Sequence, residues 1–174
     1  AYLPQGKRDE DGLKSATEKA DAILEELGRQ LARYPERVQQ AFVPDDVRRL
    51  KRAGKKAVFM GIENGYAIGR DLSQVARFRR MGVVYMTLCH NGDNDICDSA
   101  KGTGEHGGLS HFGREVVREM NRVGMMVELA HVSERSFYDV LEASRVPVVS
   151  THSSCRALCD HPRNLTDDQI CALA

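Results

Sequence analysis

The alternation of two hydrophobic periodicities constrains the fold of this chain more than any other feature. Apolar residues at helical spacing run from Leu13 to Leu31, and they recur in segments that begin near Leu72, Phe112 and Phe137. Short apolar runs typical of buried strands lie between them, at residues 57–62, 83–88, 125–130 and 146–150. Strands that alternate with helices predict βαβ units, and therefore a parallel sheet covered by helices.

Helix starts can be read from the residues that cap them. Ser110 and Ser133 stand directly before helical segments, and Thr166-Asp167-Asp168-Gln169 forms a capping box. This α/β pattern is compatible with two folds, a doubly wound sheet and a (β/α) barrel. No G-x-G-x-x-G directly follows a predicted strand, so a nucleotide-binding fold has no support.

Both ends of the chain suggest a piece of a longer protein. Residues 1–4 resemble the end of a strand that enters a polar loop, residues 5–12, and the last residues lie inside a helical pattern. We therefore expect residues 1–174 to belong to a single barrel domain that is only partly present. Such a piece would associate with the missing barrel parts or with a second copy of itself.

Charge and cysteine content exclude several classes of protein. Basic and acidic side chains balance at 25 each, so nucleic acid is not an expected partner. No apolar stretch is long enough for a transmembrane segment. The five cysteines are too irregularly spaced for a disulfide framework. These features favour a soluble protein in a reducing compartment such as the cytoplasm.

Residues that bind metals or move protons follow four of the predicted strands. They are Glu63, His90, His131 and His152. Because right-handed crossovers bring the carboxyl ends of parallel strands to one face, we expect these side chains to converge. Imidazole and carboxylate together suit borderline and harder divalent metals. The sequence therefore predicts a metal or catalytic site at this face.

Other polar residues are predicted to be structural or solvated. We expect His106, His111 and His161 to be solvated, and likewise the run that contains Asp93, Asn94, Asp95 and Asp98. That run lacks the glycine and glutamate spacing of a calcium-binding EF-hand. Glu128 leaves two possibilities open: support of a histidine from behind, or a salt bridge on the far side of the sheet.

Five segments in this order resemble the membrane (renal) dipeptidase family of zinc metallopeptidases. They are Gly61-Ile62-Glu63-Asn64-Gly65, Thr87-Leu88-Cys89-His90-Asn91, Glu128-Leu129-Ala130-His131-Val132-Ser133, Ser150-Thr151-His152-Ser153-Ser154, and Arg163-Asn164 with Asp167-Asp168. The resemblance covers about residues 57–174. It implies a (β/α)8 TIM barrel, of which this chain would supply roughly strands two to six, and two zinc ions.

The resemblance also implies roles for individual residues. Glu63 would bridge both zinc ions, and His131 and His152 would be the imidazole ligands of one of them. His90 would contact the scissile carbonyl of a free dipeptide, and Arg163 would pair with the terminal carboxylate of that substrate. The peptide bond would be hydrolysed by a hydroxide shared between the metals.

The chain also departs from the family pattern. It contains no His-x-Asp, the pair that completes the second metal site of the family, and it lacks the aspartate of the last strand that carries a proton. We therefore expect the chain alone to be inactive. Two alternatives stay open: a related barrel metallohydrolase acting on lactones or N-acyl amino acids, and a non-catalytic barrel fragment.

Overall fold

The computed structural model describes residues 1–174. Helices and short strands alternate in the order α1 Glu10–Ala32, β1 Val38–Gln40, α2 Pro44–Arg52, β2 Lys56–Val58, β3 Met60–Glu63, a 3-10 helix Gly65–Ile68, α3 Ser73–Arg80, β4 Val83–Thr87, α4 His111–Val123, β5 Met126–Glu128, α5 Glu134–Ala143 and α6 Asp167–Leu173. None of the helices combines the length and the apolar character needed to cross a membrane.

Side-chain caps begin three helices at the predicted positions. Ser110 accepts the Gly113 N–H of α4, Ser133 accepts the Ser136 N–H of α5, and the capping box at Thr166 opens α6. Asp9 caps α1 in the same way, so this helix already begins at Glu10. The predicted polar loop of residues 5–12 is therefore too long, because Asp9 and the acidic first turn that follows it are helix-start signals.

The central sheet is parallel, as predicted. β3, β4 and β5 pair in that order, with Gly61 beside Tyr85 and Tyr85 beside Met126. A single-residue parallel bridge at Tyr2 extends the sheet beyond β3, and another at Val149 extends it beyond β5. All the segments that precede the candidate site residues therefore run in one direction, and their carboxyl ends lie at one edge.

Two predicted strands differ from the structure. The run 57–62 is not one strand but two, because β2 pairs with β1 while β3 joins the central sheet. Phe59 separates them and is 41% exposed. The run 146–150 makes only the bridge at Val149. Pro147 has no N–H to donate to a ladder, which limits regular pairing there.

Helices cover one face of the central sheet and fix it. α3 packs on β4, and α4 packs on β5 and on both neighbouring helices. The fully buried side chains Phe78, Met120 and Phe137 belong to this core. Burial of each such side chain contributes about 1.5–3 kcal/mol. The strand ends are thereby held on a rigid support, which is what a site with several convergent side chains requires.

Candidate metal centre

Three of the predicted site residues meet at the carboxyl edge of the sheet. Glu63 ends β3, His131 follows β5, and His152 follows the bridge at Val149. Glu63 Oε1 lies 3.3 Å from His131 Nε2 and 3.4 Å from His152 Nε2. The two imidazole Nε2 atoms are 3.1 Å apart. These three residues form a group that could hold a metal ion.

His90 belongs to the same cluster. It lies three residues beyond the end of β4, and its Nε2 is 3.7 Å from the same oxygen of Glu63. Its ring centroid is 4.1 Å from that of His131 and 4.8 Å from that of Tyr2. All four strand-end residues predicted from the sequence therefore converge on one point.

Burial favours the neutral form of two histidines of this cluster, His131 and His90. Burial lowers the pKa of His131 from 6.5 to about 3, and the charges of Arg163 and the neighbouring histidines add to this effect. The pKa of His90 is also lowered by burial, against the opposing effect of Glu63. A neutral imidazole beside the Glu63 carboxylate offers a nitrogen lone pair, which is the form of histidine that binds a divalent cation.

The backbone is strained where two residues of the site lie. His131 has φ +74° and Asn64, next to Glu63, has φ +87°, and no other non-glycine residue of the chain has a positive φ. Such conformations persist only when surrounding contacts impose them, and they concentrate at functional sites. The loop of residues 91–110 contributes contacts to both residues: Asn94 donates to Asn64, and Ser99 and Ala100 donate to the His131 carbonyl oxygen.

The prediction that the acidic and amide residues of this loop are solvated was wrong for Asn94 and Asp98, which are buried, while Asp93 and Asp95 are half-buried. Asn94 and Asp98 are 1% and 2% exposed. Asp93 accepts backbone N–H groups from Ser99 and from residues 103–105. Asp98 accepts the N–H groups of His106 and Gly108. Short polar side chains therefore replace secondary structure as partners of the backbone.

The loop also anchors the main chain at two site histidines. The Ser99 hydroxyl contacts the carbonyl oxygens of His90 and His131, and the Ala100 N–H donates to the carbonyl of His131 at 2.7 Å. These contacts tie the strand ends of β4 and β5 together and hold the strained conformation of His131. Sequence reasoning did not find Ser99, because a serine in a polar loop carries no signal of this role.

A buried pair of amides joins the ends of β3 and β4. Asn94 Nδ2 donates to Asn64 Oδ1 at 3.1 Å and to the Leu88 carbonyl at 2.8 Å. Asn64 in turn donates to the Leu3 carbonyl at 3.0 Å. The segment at Leu3, the end of β3 and the end of β4 are thus held in one hydrogen-bonded unit beneath Glu63.

Arg163 lies at the border of the cluster. It is half-buried, and its guanidinium lies 3.5 Å from the His152 carbonyl oxygen, to which it donates. Burial lowers the pKa of Arg163, while the carboxylates Glu128 and Glu63 oppose this shift. The structure therefore places a cation beside the cluster, although Arg163 is eleven residues from His152 in the chain.

The remaining histidines only partly follow the prediction. His111 is exposed, as expected. His106 is half-buried, with its Nε2 2.7 Å from the Asn94 carbonyl oxygen, and His161 Nδ1 accepts the N–H of Arg163. These two side chains are therefore structural rather than solvated. All five cysteines are free thiols, and Cys89 and Cys97 are buried.

The full length of the chain, residues 1–174, matches the family described as membrane dipeptidase, peptidase family M19. The chain belongs to the membrane dipeptidase family. It is 45% identical over 142 residues to dipeptidase tcpJ of Claviceps purpurea (strain 20.1), covering 81% of this chain and 33% of that protein. It is 35% identical over 173 residues to dipeptidase 3 of Rattus norvegicus, covering 97% of this chain and 34% of that protein.

A solved structure shows the same fold as this chain. The probable dipeptidase PvdM from Pseudomonas aeruginosa superposes with a TM-score of 0.89 at 31% identity, covering 92% of this chain and 42% of that one. The family expected from the five sequence segments is therefore confirmed. The chain spans about a third of the length of the curated relatives it matches.

Proposed function

We propose that residues 1–174 form part of one (β/α)8 barrel catalytic domain, roughly strands two to six. The parallel order Tyr2, β3, β4, β5 and Val149 supports this architecture, as do the helices on one face. In barrels of this class the active site lies at the carboxyl ends of the strands, which is where Glu63 and the three histidines converge. The exposed Phe59 and Met126 would then pack against the rest of the barrel.

We propose zinc as the metal of this site. Tetrahedral zinc with nitrogen and oxygen ligands at 2.0–2.2 Å requires ligand atoms about 3.3–3.5 Å apart. The distances among Glu63 Oε1, His131 Nε2 and His152 Nε2 are 3.3, 3.4 and 3.1 Å, close to one face of such a tetrahedron. The second oxygen of Glu63 is available for a second zinc, in keeping with the bridging role that the family resemblance implies.

We propose that the intact protein hydrolyses free dipeptides. The observation that carries this proposal is the convergence of three imidazoles on one carboxylate oxygen beside a half-buried arginine. Bound zinc would supply Lewis acidity and a water of lowered pKa. Neutral His90 would donate a hydrogen bond to the substrate carbonyl oxygen as negative charge develops there. Arg163 would bind the terminal carboxylate and orient the substrate.

The ligand set within this chain is smaller than the family site requires. The sequence contains no His-x-Asp, the pair that completes the second metal position in the resemblance. We therefore propose that other residues of the whole protein supply these ligands. The 174-residue chain alone would show no dipeptidase turnover with added zinc, whereas the intact enzyme would work in the usual range of about 1–1000 s⁻¹.

A substitution at Arg163 tests the assigned chemistry in the intact protein. Arg163→Lys keeps the charge but removes the planar fork that binds a carboxylate in a bidentate manner. We expect kcat/KM for a dipeptide to fall by about tenfold or more, with a much smaller change for the corresponding dipeptide amide, which has no carboxylate.

Two outcomes of that assay would contradict the proposal. Equal losses of kcat/KM on the dipeptide and on its amide would show that Arg163 does not bind the terminal carboxylate. Faster turnover of N-acyl amino acids or lactones than of any dipeptide would favour the related barrel metallohydrolase activity instead. Purified intact protein assayed on the same panel of substrates distinguishes these results.

A further inference from the structure

Glu128, at the end of β5, is a fully buried carboxylate that has no role in the chemistry proposed above. Its exposed fraction is 0%, and no lysine or arginine forms a salt bridge with it. A buried carboxylate is costly unless hydrogen bonds compensate its charge, so its retention at this position requires specific partners. Those partners lie on three different strand ends.

One oxygen of Glu128 holds the two segments that carry the imidazole ligands. Oε1 accepts the N–H of Ala130 at 2.9 Å and the N–H of Thr151 at 2.8 Å. Ala130 directly precedes His131, and Thr151 directly precedes His152. A single acceptor atom therefore fixes the spacing of the two backbone positions from which both imidazoles extend.

The other oxygen of Glu128 is fixed by the neighbouring strand. Oε2 accepts the Thr87 hydroxyl at 2.6 Å, and Thr87 is the last residue of β4. With both oxygens held, the carboxylate cannot rotate away from Ala130 and Thr151. The sheet thus fixes the position of the carboxylate, and the carboxylate in turn fixes the backbone at Ala130 and Thr151, beyond the strands.

The histidines need such an anchor because neither follows a regular strand. His131 has the strained φ of +74°, and His152 follows a segment with only one bridge to the sheet. His152 Nδ1 lies 2.8 Å from the Thr151 hydroxyl and 3.9 Å from Glu128 Oε1. This side of the ring therefore faces Thr151 and Glu128, and Nε2 faces Glu63.

We propose that Glu128 is a positioning residue that sets the separation of His131 Nε2 and His152 Nε2 for a metal ion. The inference rests on the metal centre proposed above, and it assigns to Glu128 the first of the two possibilities that the sequence left open. Groups that orient metal ligands affect affinity by about 10–100-fold when they are removed. The role is geometric: acceptance of two N–H groups, rather than negative charge, is what the site requires.

Two substitutions separate geometry from charge. Glu128→Gln keeps a carbonyl oxygen for both N–H groups, and its NH₂ donates to the Thr87 hydroxyl, which can also accept. Glu128→Leu leaves both N–H groups without a partner. In zinc competition titrations of the intact protein, we expect Glu128→Leu to bind about 10–100-fold more weakly than the unsubstituted protein. Glu128→Gln should stay within about threefold, since neutral hydrogen bonds keep roughly half the strength.

Asp139 provides a control for loss of a buried carboxylate outside the cluster. It is 4% exposed on α5, accepts the Leu109 N–H, and lies 3.1 Å from Arg135 and 3.7 Å from Arg114. Asp139→Leu should lower stability but leave zinc affinity unchanged. If Glu128→Leu does not fold, Thr87→Val releases the other oxygen instead, and Thr87→Ser should restore the affinity that Thr87→Val loses.

Hydrogen exchange of the Ala130 and Thr151 amides tests the anchor without metal. We expect slow exchange in the original chain and in Glu128→Gln, and fast exchange in Glu128→Leu. Absence of zinc binding in the intact, unsubstituted protein would refute the metal centre, and the exchange result would then still decide whether Glu128 anchors the backbone at Ala130 and Thr151. Unchanged exchange in Glu128→Leu, or equal zinc affinities in all variants, would overturn the inference. Zinc binding by Glu128→Gln as weak as that by Glu128→Leu would also overturn the inference, because the site would then require the negative charge of Glu128.

Discussion

The loop of residues 91–110 and the segment of residues 150–166 both follow the sheet and both contribute to the site, but they are held differently. The first contains buried polar residues, and it anchors His131, whose side chain is 7% exposed. The second carries His152, whose side chain is 41% exposed, and Leu158, which is 84% exposed. The candidate metal site therefore has a buried half and an open half.

The difference lies in what the polar side chains bind. In the first loop Asp93, Asn94 and Asp98 each accept two or more backbone N–H groups, so side chains of the loop itself serve as partners of its irregular backbone. In the second segment Asn164 receives one N–H, that of Ser154, and donates to the Cys159 carbonyl. The buried half can fix the position of its histidine, and the open half leaves His152 partly exposed.

The largest effect is expected from removing one of the buried carboxylates of the first loop. Asp98→Ala leaves the N–H groups of His106 and Gly108 without a partner, and we expect the free energy of unfolding to fall by about 3 kcal/mol. Asp160→Ala, at an exposed position of the second segment, should change it by no more than about 0.5 kcal/mol. Urea denaturation of both variants measures the contrast, and equal losses would remove the distinction between the two regions.

The sequence predicted the helix starts and the strand ends better than the loops. Ser110, Ser133 and Thr166 act through neighbours in the chain, so their capping role can be read locally. The convergence of Glu63, His131 and His152 also follows, because parallel strands with right-handed crossovers end at one edge. Features that depend on neighbours in the chain, or on the handedness of the crossovers, could therefore be predicted from the sequence.

The rest depends on contacts between distant residues. Asp98 and Asn94 appear in a polar run, and only the fold shows that backbone N–H groups replace water around them. The division of residues 57–62 into β2 and β3 depends on pairing with β1, whose short sequence carries no strong strand signal. Glu128 is ambiguous in the sequence for the same reason, since its three partners come from three separate segments.

A smaller effect is expected from pH on the buried half of the site. Because the pKa of folded His131 is about 3, against an ordinary value of 6.5, the unfolded chain binds a proton that the folded chain does not between these values. The metal-free chain should therefore lose stability as pH falls below about 6.5, and regain it as pH rises.

His131→Asn isolates that contribution. Asparagine tolerates a positive φ, so the backbone conformation can be kept without the titrating ring. Between about pH 7 and pH 5 the free energy of unfolding should fall less in His131→Asn than in the original chain. Identical pH dependence in both would mean that His131 is not held neutral by burial.

The smallest effect concerns the surface of the first loop. Arg8 and Glu105 form an ion pair between the segment before α1 and this loop, with side chains 28% and 42% exposed. A double-mutant cycle with Arg8→Ala and Glu105→Ala should give a coupling of about 0.2–1 kcal/mol. A coupling several times larger would show that the loop depends on its surface contacts as much as on its buried ones.

Location of zinc by anomalous scattering, in crystals of this chain grown with zinc, tests the central claim most directly. We predict one peak within about 2.0–2.2 Å of Glu63 Oε1, His131 Nε2 and His152 Nε2. Zinc bound elsewhere, with these three atoms left without a metal at saturating concentration, would contradict the assignment of the site.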